Sequence, residues 1–144
     1  DYGAGGIHSD GYLAHDKNDE IAHSYLIPIV VNPVDRYYTI IFDQTSMEAV
    51  TFNGETGLEK KGITTYKQVT RDEYGLSDNP FDINVYETYL KHLNYDALSG
   101  LTVAHVHDWT LGSAMQWPRQ NFHVSANFTN KDTRASVLIT TRYK

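Results

Sequence analysis

From Asn121 to Phe128 the chain alternates strictly, with Phe122, Val124, Ala126 and Phe128 apolar and Asn121, His123, Ser125 and Asn127 polar. Successive side chains of a strand point to opposite faces, so this segment forms one face for a core and one for solvent or a ligand. A segment of this period needs neighbouring strands, and the rest of the chain supplies them. Leu101 to Asp108 has the same period. It puts Leu101, Val103, His105 and His107 on one face and Thr102, Ala104, Val106 and Asp108 on the other.

Further strands are predicted at Ile21–Val31, Arg36–Asp43, Met47–Phe52, Gly62–Thr70 and Arg134–Tyr143, rich in β-branched and aromatic residues. Pro28 removes a ladder donor from the first of these and points to a sheet edge or a bulge. Asn53-Gly54 marks a turn. One helix is expected near residues 82–93, capped by Asp82, with Ile83, Tyr86, Tyr89, Leu90 and Leu93 as its buried stripe. These elements imply a mainly β domain, with α+β left open: an antiparallel β-sandwich or jelly-roll-like barrel of about seven strands. Residues 1–20, with four glycines and no periodicity, read as a flexible or partner-contacting arm, and 21–144 as a single β-rich globular domain.

A net charge of −6 argues against nucleic acid as a partner. With no cysteine there is neither a disulfide framework nor a thiolate metal site. No apolar run approaches the roughly 20 residues of a membrane span. The start at Asp1 is the expected form of a processed mature chain or an excised domain, and an extracellular or secreted address is the expectation that follows. Asn127-Phe128-Thr129 is an N-glycosylation triplet that carries weight only in that setting. The glycine-rich arm leading into a strand with Pro28 is expected to cross to another subunit, making the chain a homo-oligomer or assembly subunit.

Three groups of residues bear on chemistry. His105-Val-His107 has the spacing that lets two imidazoles reach one metal from one strand face, with His123 or a carboxylate such as Asp108, Asp16 or Asp10 as a third ligand. Pro118, His123 and Asn127 extend this into a pattern similar to the cupin motifs. It departs from them in lacking the glutamate and glycine after His107, in having Gln120 for glycine, and in separating His107 from His123 by only 15 residues. Those departures leave the likeness without weight. With two placed ligands alone no cofactor is expected, and a divalent metal stays an open question.

Gly5-Gly6-Ile7-His8-Ser9, His15 or His23, Lys67 and Thr141-Arg142-Tyr143 resemble scattered pieces of the EndoU-type ribonucleases, which implies acid–base chemistry by two histidines and a lysine. The central segment of that family is missing. The third group is a binding face: Asn121, His123, Ser125 and Asn127 in one row, with Trp109 and Trp117 in the preceding loop placed to stack on a sugar ring. On balance the sequence predicts a non-catalytic binding or assembly domain with a Trp/His/Asn-rich face for a glycan or protein partner. The alternative is a histidine-dependent hydrolase, acting through a metal at His105/His107 or as a metal-independent ribonuclease.

Overall fold

The computed structural model describes residues 6–10, 23–31, 36–52, 67–126 and 134–141. Nine strands fall within them: β1 (His8–Asp10), β2 (His23–Val30), β3 (Tyr38–Thr45), β4 (Ala49–Phe52), β5 (Lys67–Val69), β6 (Val103–Asp108), β7 (Met115–Pro118), β8 (Asn121–Ala126) and β9 (Ala135–Thr140). They build a sandwich of a six-stranded sheet, order β5-β4-β1-β8-β3-β6, and a three-stranded sheet, order β7-β2-β9. All the described pairings are antiparallel except β4 with β5. The mainly β sandwich read from the sequence is thus the observed fold. The sheets do not close into a barrel.

The large sheet is buried on both faces. Ile7, Ile40, Phe42, Val50, Phe52, Phe122, Val124 and Ala126 pack on one side against Phe81, Leu90, Leu98 and Leu101 from the segment that links β5 to β6. On the other side Ile41 meets Leu26, Met115, Trp117, Tyr37 and Trp109, which tie the small sheet to the large one. The strict alternation of β8 is the sequence signature of this arrangement, since its odd and even positions serve different faces, and the unbroken apolar run Ile40–Phe42 of β3 serves both cores.

The expected helix is present in altered form. Asp82 caps it as predicted, its carboxylate accepting from the backbone N–H groups of Asn84 at 2.8 Å and Val85 at 3.3 Å. An α-turn, Ile83–Val85, then widens into a π-helical stretch, Tyr86–Leu90. Tyr86, Tyr89, Leu90 and Leu93 of the expected stripe pack on the core, while Ile83 is half exposed and Val85 packs there instead.

Other differences have physical causes. Within the expected arm, residues 8–10 form a strand in the interior of the large sheet; residues 1–5 and 11–20 lie outside the described residues. Pro28 lies on the central strand of the small sheet, where of the two expectations, an edge or a bulge, the ladder shows an irregularity of register. The proline is tolerated because it falls beyond Leu26, the last residue paired with β7, and because the register shifts between Pro28 and Val30. A second irregularity, between Ile41 and Phe42, separates Val103 from His105: Val103 packs on the first core while His105 faces the second. No helix among the described residues is long and apolar enough to cross a membrane.

Gly100 closes the linking segment with φ of +81°, and a Cβ there would lie 2.4 Å from the carbonyl oxygen of Ser77. Gly112 has a similar φ of +84° in open space. Gly100→Ala is therefore expected to cost on the order of 3 kcal/mol, against about 1 kcal/mol for Gly112→Ala. Urea denaturation of the two variants measures the difference, and equal losses would show that the Ser77 contact is relieved without cost.

Candidate metal centre

β1 reaches its place through its neighbours. Ile7 is buried in the first core, its carbonyl accepts from Phe52 N–H at 2.9 Å, and the Ser9 hydroxyl donates to Glu48 O at 2.9 Å. On the far side Asp10 N–H donates to Arg119 O at 3.1 Å. With Ile7 and Ser9 turned to one face, His8 and Asp10 must share the other. Direct pairing of His8 with His123 across the β1–β8 ladder brings a second imidazole to that face.

The three side chains converge. One donor atom from each of His8, Asp10 and His123 lies within 4.8 Å of the other two. His123 Nε2 is 3.5 Å from Asp10 Oδ2, His8 Nε2 is 4.0 Å from Asp10 Oδ1, and the two imidazole centroids are 4.2 Å apart. Each ring is oriented from behind: His8 Nδ1 sits 2.9 Å from Gly6 O and His123 Nδ1 3.1 Å from Asn121 O. A carbonyl only accepts, so Nδ1 carries the hydrogen in both neutral rings and Nε2 presents its lone pair to the cluster. Carbonyl-backed imidazoles with Nε2 turned towards a carboxylate are the arrangement found around bound metal ions.

Burial holds His123 in the neutral form. Its side chain is 9% exposed, beneath Trp117, whose ring centroid lies 5.3 Å away in an edge contact. Loss of hydration lowers the His123 pKa to about 4, the neighbouring His8 pushes the same way, and Asp10 and the Asn121 carbonyl partly oppose them.

The structure redistributes the residues singled out in the sequence. His105 and His107 do share a face, with centroids 6.4 Å apart, on the edge strand β6. Ile41 on β3 stands between His105 and His123, which puts two strand spacings, roughly 10 Å, between them. Burial and then His105 lower the His107 pKa, and Ser113 Oγ lies 3.4 Å from its Nε2. The third ligand sought for this pair is absent among the described residues: Asp10 and His123 meet His8 instead, and Asp108 is ion-paired with Arg36.

Trp109 and Trp117, 6% and 4% exposed, belong to the core between the sheets and offer no stacking face. Trp109 Nε1 donates to Thr39 Oγ1 at 2.8 Å inside that core. The polar row is likewise committed, since Asn121 Nδ2 donates to Phe42 O at 2.7 Å and His123 is buried. Ser125 is half-buried; Asn127 and Asp16 lie outside the described residues. Of the ribonuclease-like pieces, Lys67 is exposed on β5 and pairs with Glu48 at 3.7 Å, while Thr141 holds the His23 backbone across the small sheet. His15, Arg142 and Tyr143 are outside the described residues.

His8 and Asp10 are a His-x-Asp on one strand, a spacing as informative as His105-x-His107, but its glycine-rich surroundings hid the strand. Comparison with protein-family models, curated proteins and solved structures gives no match to the chain.

The depressed His123 pKa sets the acid response of metal-free protein. The unfolded imidazole takes a proton near its usual 6.5 and the folded one only near about 4, so the unfolded state binds more protons between them. The contribution is present in full above pH 6.5 and is lost as pH falls through about 4. Chemical denaturation in chelator from pH 7.5 to 4.5 is expected to show this decline, and His123→Gln to flatten it; an unchanged slope would place the acid sensitivity elsewhere.

Proposed function

We propose that His8, Asp10 and His123 bind one divalent metal ion and that the protein is a metal-dependent enzyme of the mononuclear non-haem iron(II) oxygenase class. The convergence of two carbonyl-backed Nε2 atoms and a carboxylate within 4.8 Å carries this reading. Three acceptors drawn together out of water are favourable when a cation sits among them. His8, Asp10 and His123 would hold such an ion with two imidazoles and one carboxylate from one sheet face, the donor set of oxygen-activating iron sites, and it would supply dioxygen chemistry there.

In this reading the ion supplies the redox chemistry, and the chain supplies a fixed triad and a dry setting. Ile7 and Ser9 anchor the strand that carries His8 and Asp10, the Gly6 and Asn121 carbonyls set the ring orientations, and Trp117 shields His123 from water. The sequence-based binding or assembly reading loses its main support, because both tryptophans are buried. The metal reading moves from His105 and His107 to His8, Asp10 and His123, where three donors converge.

Protein loaded anaerobically with iron(II) is expected to retain one iron per chain by elemental analysis. His8→Ala, Asp10→Ala and His123→Ala should each abolish stoichiometric binding, and His105→Ala/His107→Ala should leave it intact. Supplied with ascorbate as electron donor, the iron-loaded protein should consume dioxygen above the rate of the Asp10→Ala variant under the same conditions. One tightly held zinc with no iron binding and no oxygen uptake would overturn the oxygenase assignment in favour of a hydrolase.

A further inference from the structure

Beside the triad, the inner face of the small sheet carries polar groups that the fold itself leaves unmet. Ser24 and Trp117 are direct partners across the β2–β7 ladder, so their side chains stand next to each other on one face. Both belong to the buried interior, Ser24 at 0% and Trp117 at 4% exposure. Among the described residues, the Ser24 hydroxyl and Trp117 Nε1 are buried without a hydrogen-bond partner, and so is Arg119 Nε two positions along. Trp117 borders the triad through its ring, which lies against His123, and Arg119 through its backbone, whose carbonyl accepts from the Asp10 N–H.

Such groups are uncommon, because each buried and unpaired polar group costs about 1–3 kcal/mol. The indole N–H and the guanidinium N–H only donate, and the hydroxyl can donate as well as accept, so one acceptor would satisfy all three. Charge points the same way: a divalent cation with two neutral imidazoles and one carboxylate keeps a net positive charge, and Arg119 adds to it.

We propose that Ser24, Trp117 and Arg119 form the second half of the site, a donor wall that receives the free end of a small anion bound to the metal ion. This inference rests on the metal reading and names the ligand class of the same site. A monoanion of the size of azide or formate would bond to the ion at one end and accept hydrogen bonds from the wall at the other. Ser24 and Trp117 then act on ligand affinity and leave the metal ligands untouched, which separates them from His8, Asp10 and His123.

The test uses full-length protein loaded with cobalt(II), whose visible spectrum reports its ligands. Cobalt stoichiometry is measured first, and azide and formate are then titrated. Wild type should bind one cobalt and show a saturable spectral change with each anion. Ser24→Ala and Trp117→Phe should keep the cobalt and weaken anion binding about tenfold each, the size of one lost hydrogen bond. Without anion, Ser24→Ala should be neutral or stabilising in urea denaturation, because the hydroxyl it removes has no partner in the fold.

Anion affinity in Ser24→Ala and Trp117→Phe equal to wild type would overturn the donor wall while leaving the metal centre standing. Absence of any anion response in cobalt-loaded wild type would overturn it too. Failure of wild type to bind cobalt would instead defeat the metal reading on which it rests. If Trp117→Phe does not fold, Ser24→Ala and Arg119→Gln decide alone, by the same tenfold criterion.

Discussion

The proposed centre depends on a strand of three residues. β1 contributes little surface of its own, and it is retained because β4 and β8 flank it on both sides and Ile7 anchors it in the large core. Burying one isoleucine is worth about 1.5–3 kcal/mol, enough to fix the entry of the strand but not to order a glycine-rich segment unaided. The ladder bonds and the Ser9 and Thr51 hydroxyls, each bonded to a backbone carbonyl, complete the anchoring. Movement of β1 by one residue would turn His8 and Asp10 into the apolar core and bring Ile7 and Ser9 to the triad.

The large sheet is two-sided in chemistry as well as in packing. Its first face is filled by side chains with no titratable group at the centre, and its second accommodates histidines among tryptophans and a methionine. A polar cluster placed there is desolvated by the small sheet, and that desolvation, reinforced by the neighbouring His8, is why His123 is held neutral. Placing it on a loop would have hydrated it and removed that effect.

What the sequence revealed follows from how each element encodes itself. β8 and β6 were legible because six or more residues alternate, and β3 because its aromatic and β-branched run leaves no other choice. β1 and β7, of three and four residues, are shorter than the period needs to declare itself. Trp117 therefore read as part of a loop and became a ligand-stacking candidate, although on β7 it points into the core. The irregularity at Ile41 and Phe42 is silent in the sequence, so Leu101 and Val103 were grouped with His105 and His107 although they pack on the opposite side. The pairing of His8 with His123 is a matter of topology: nothing local to either residue says that the start of the chain lies beside its penultimate described strand.

That topology gives the triad a mechanical side. His8 and Asp10 come from the first strand and His123 from β8, so a cation bound to all three would fasten the two ends of most of the chain together. In the chain-entropy picture, a crosslink spanning about 100 residues removes unfolded-state freedom worth about 4.7 kcal/mol, comparable to the whole stability of many domains. A coordinate bond is weaker and reversible, so the clasp opens whenever the ion leaves. Occupancy of the centre would then add to the bonds that already hold the N-terminal strand, and supply of the ion would lengthen the life of the folded chain.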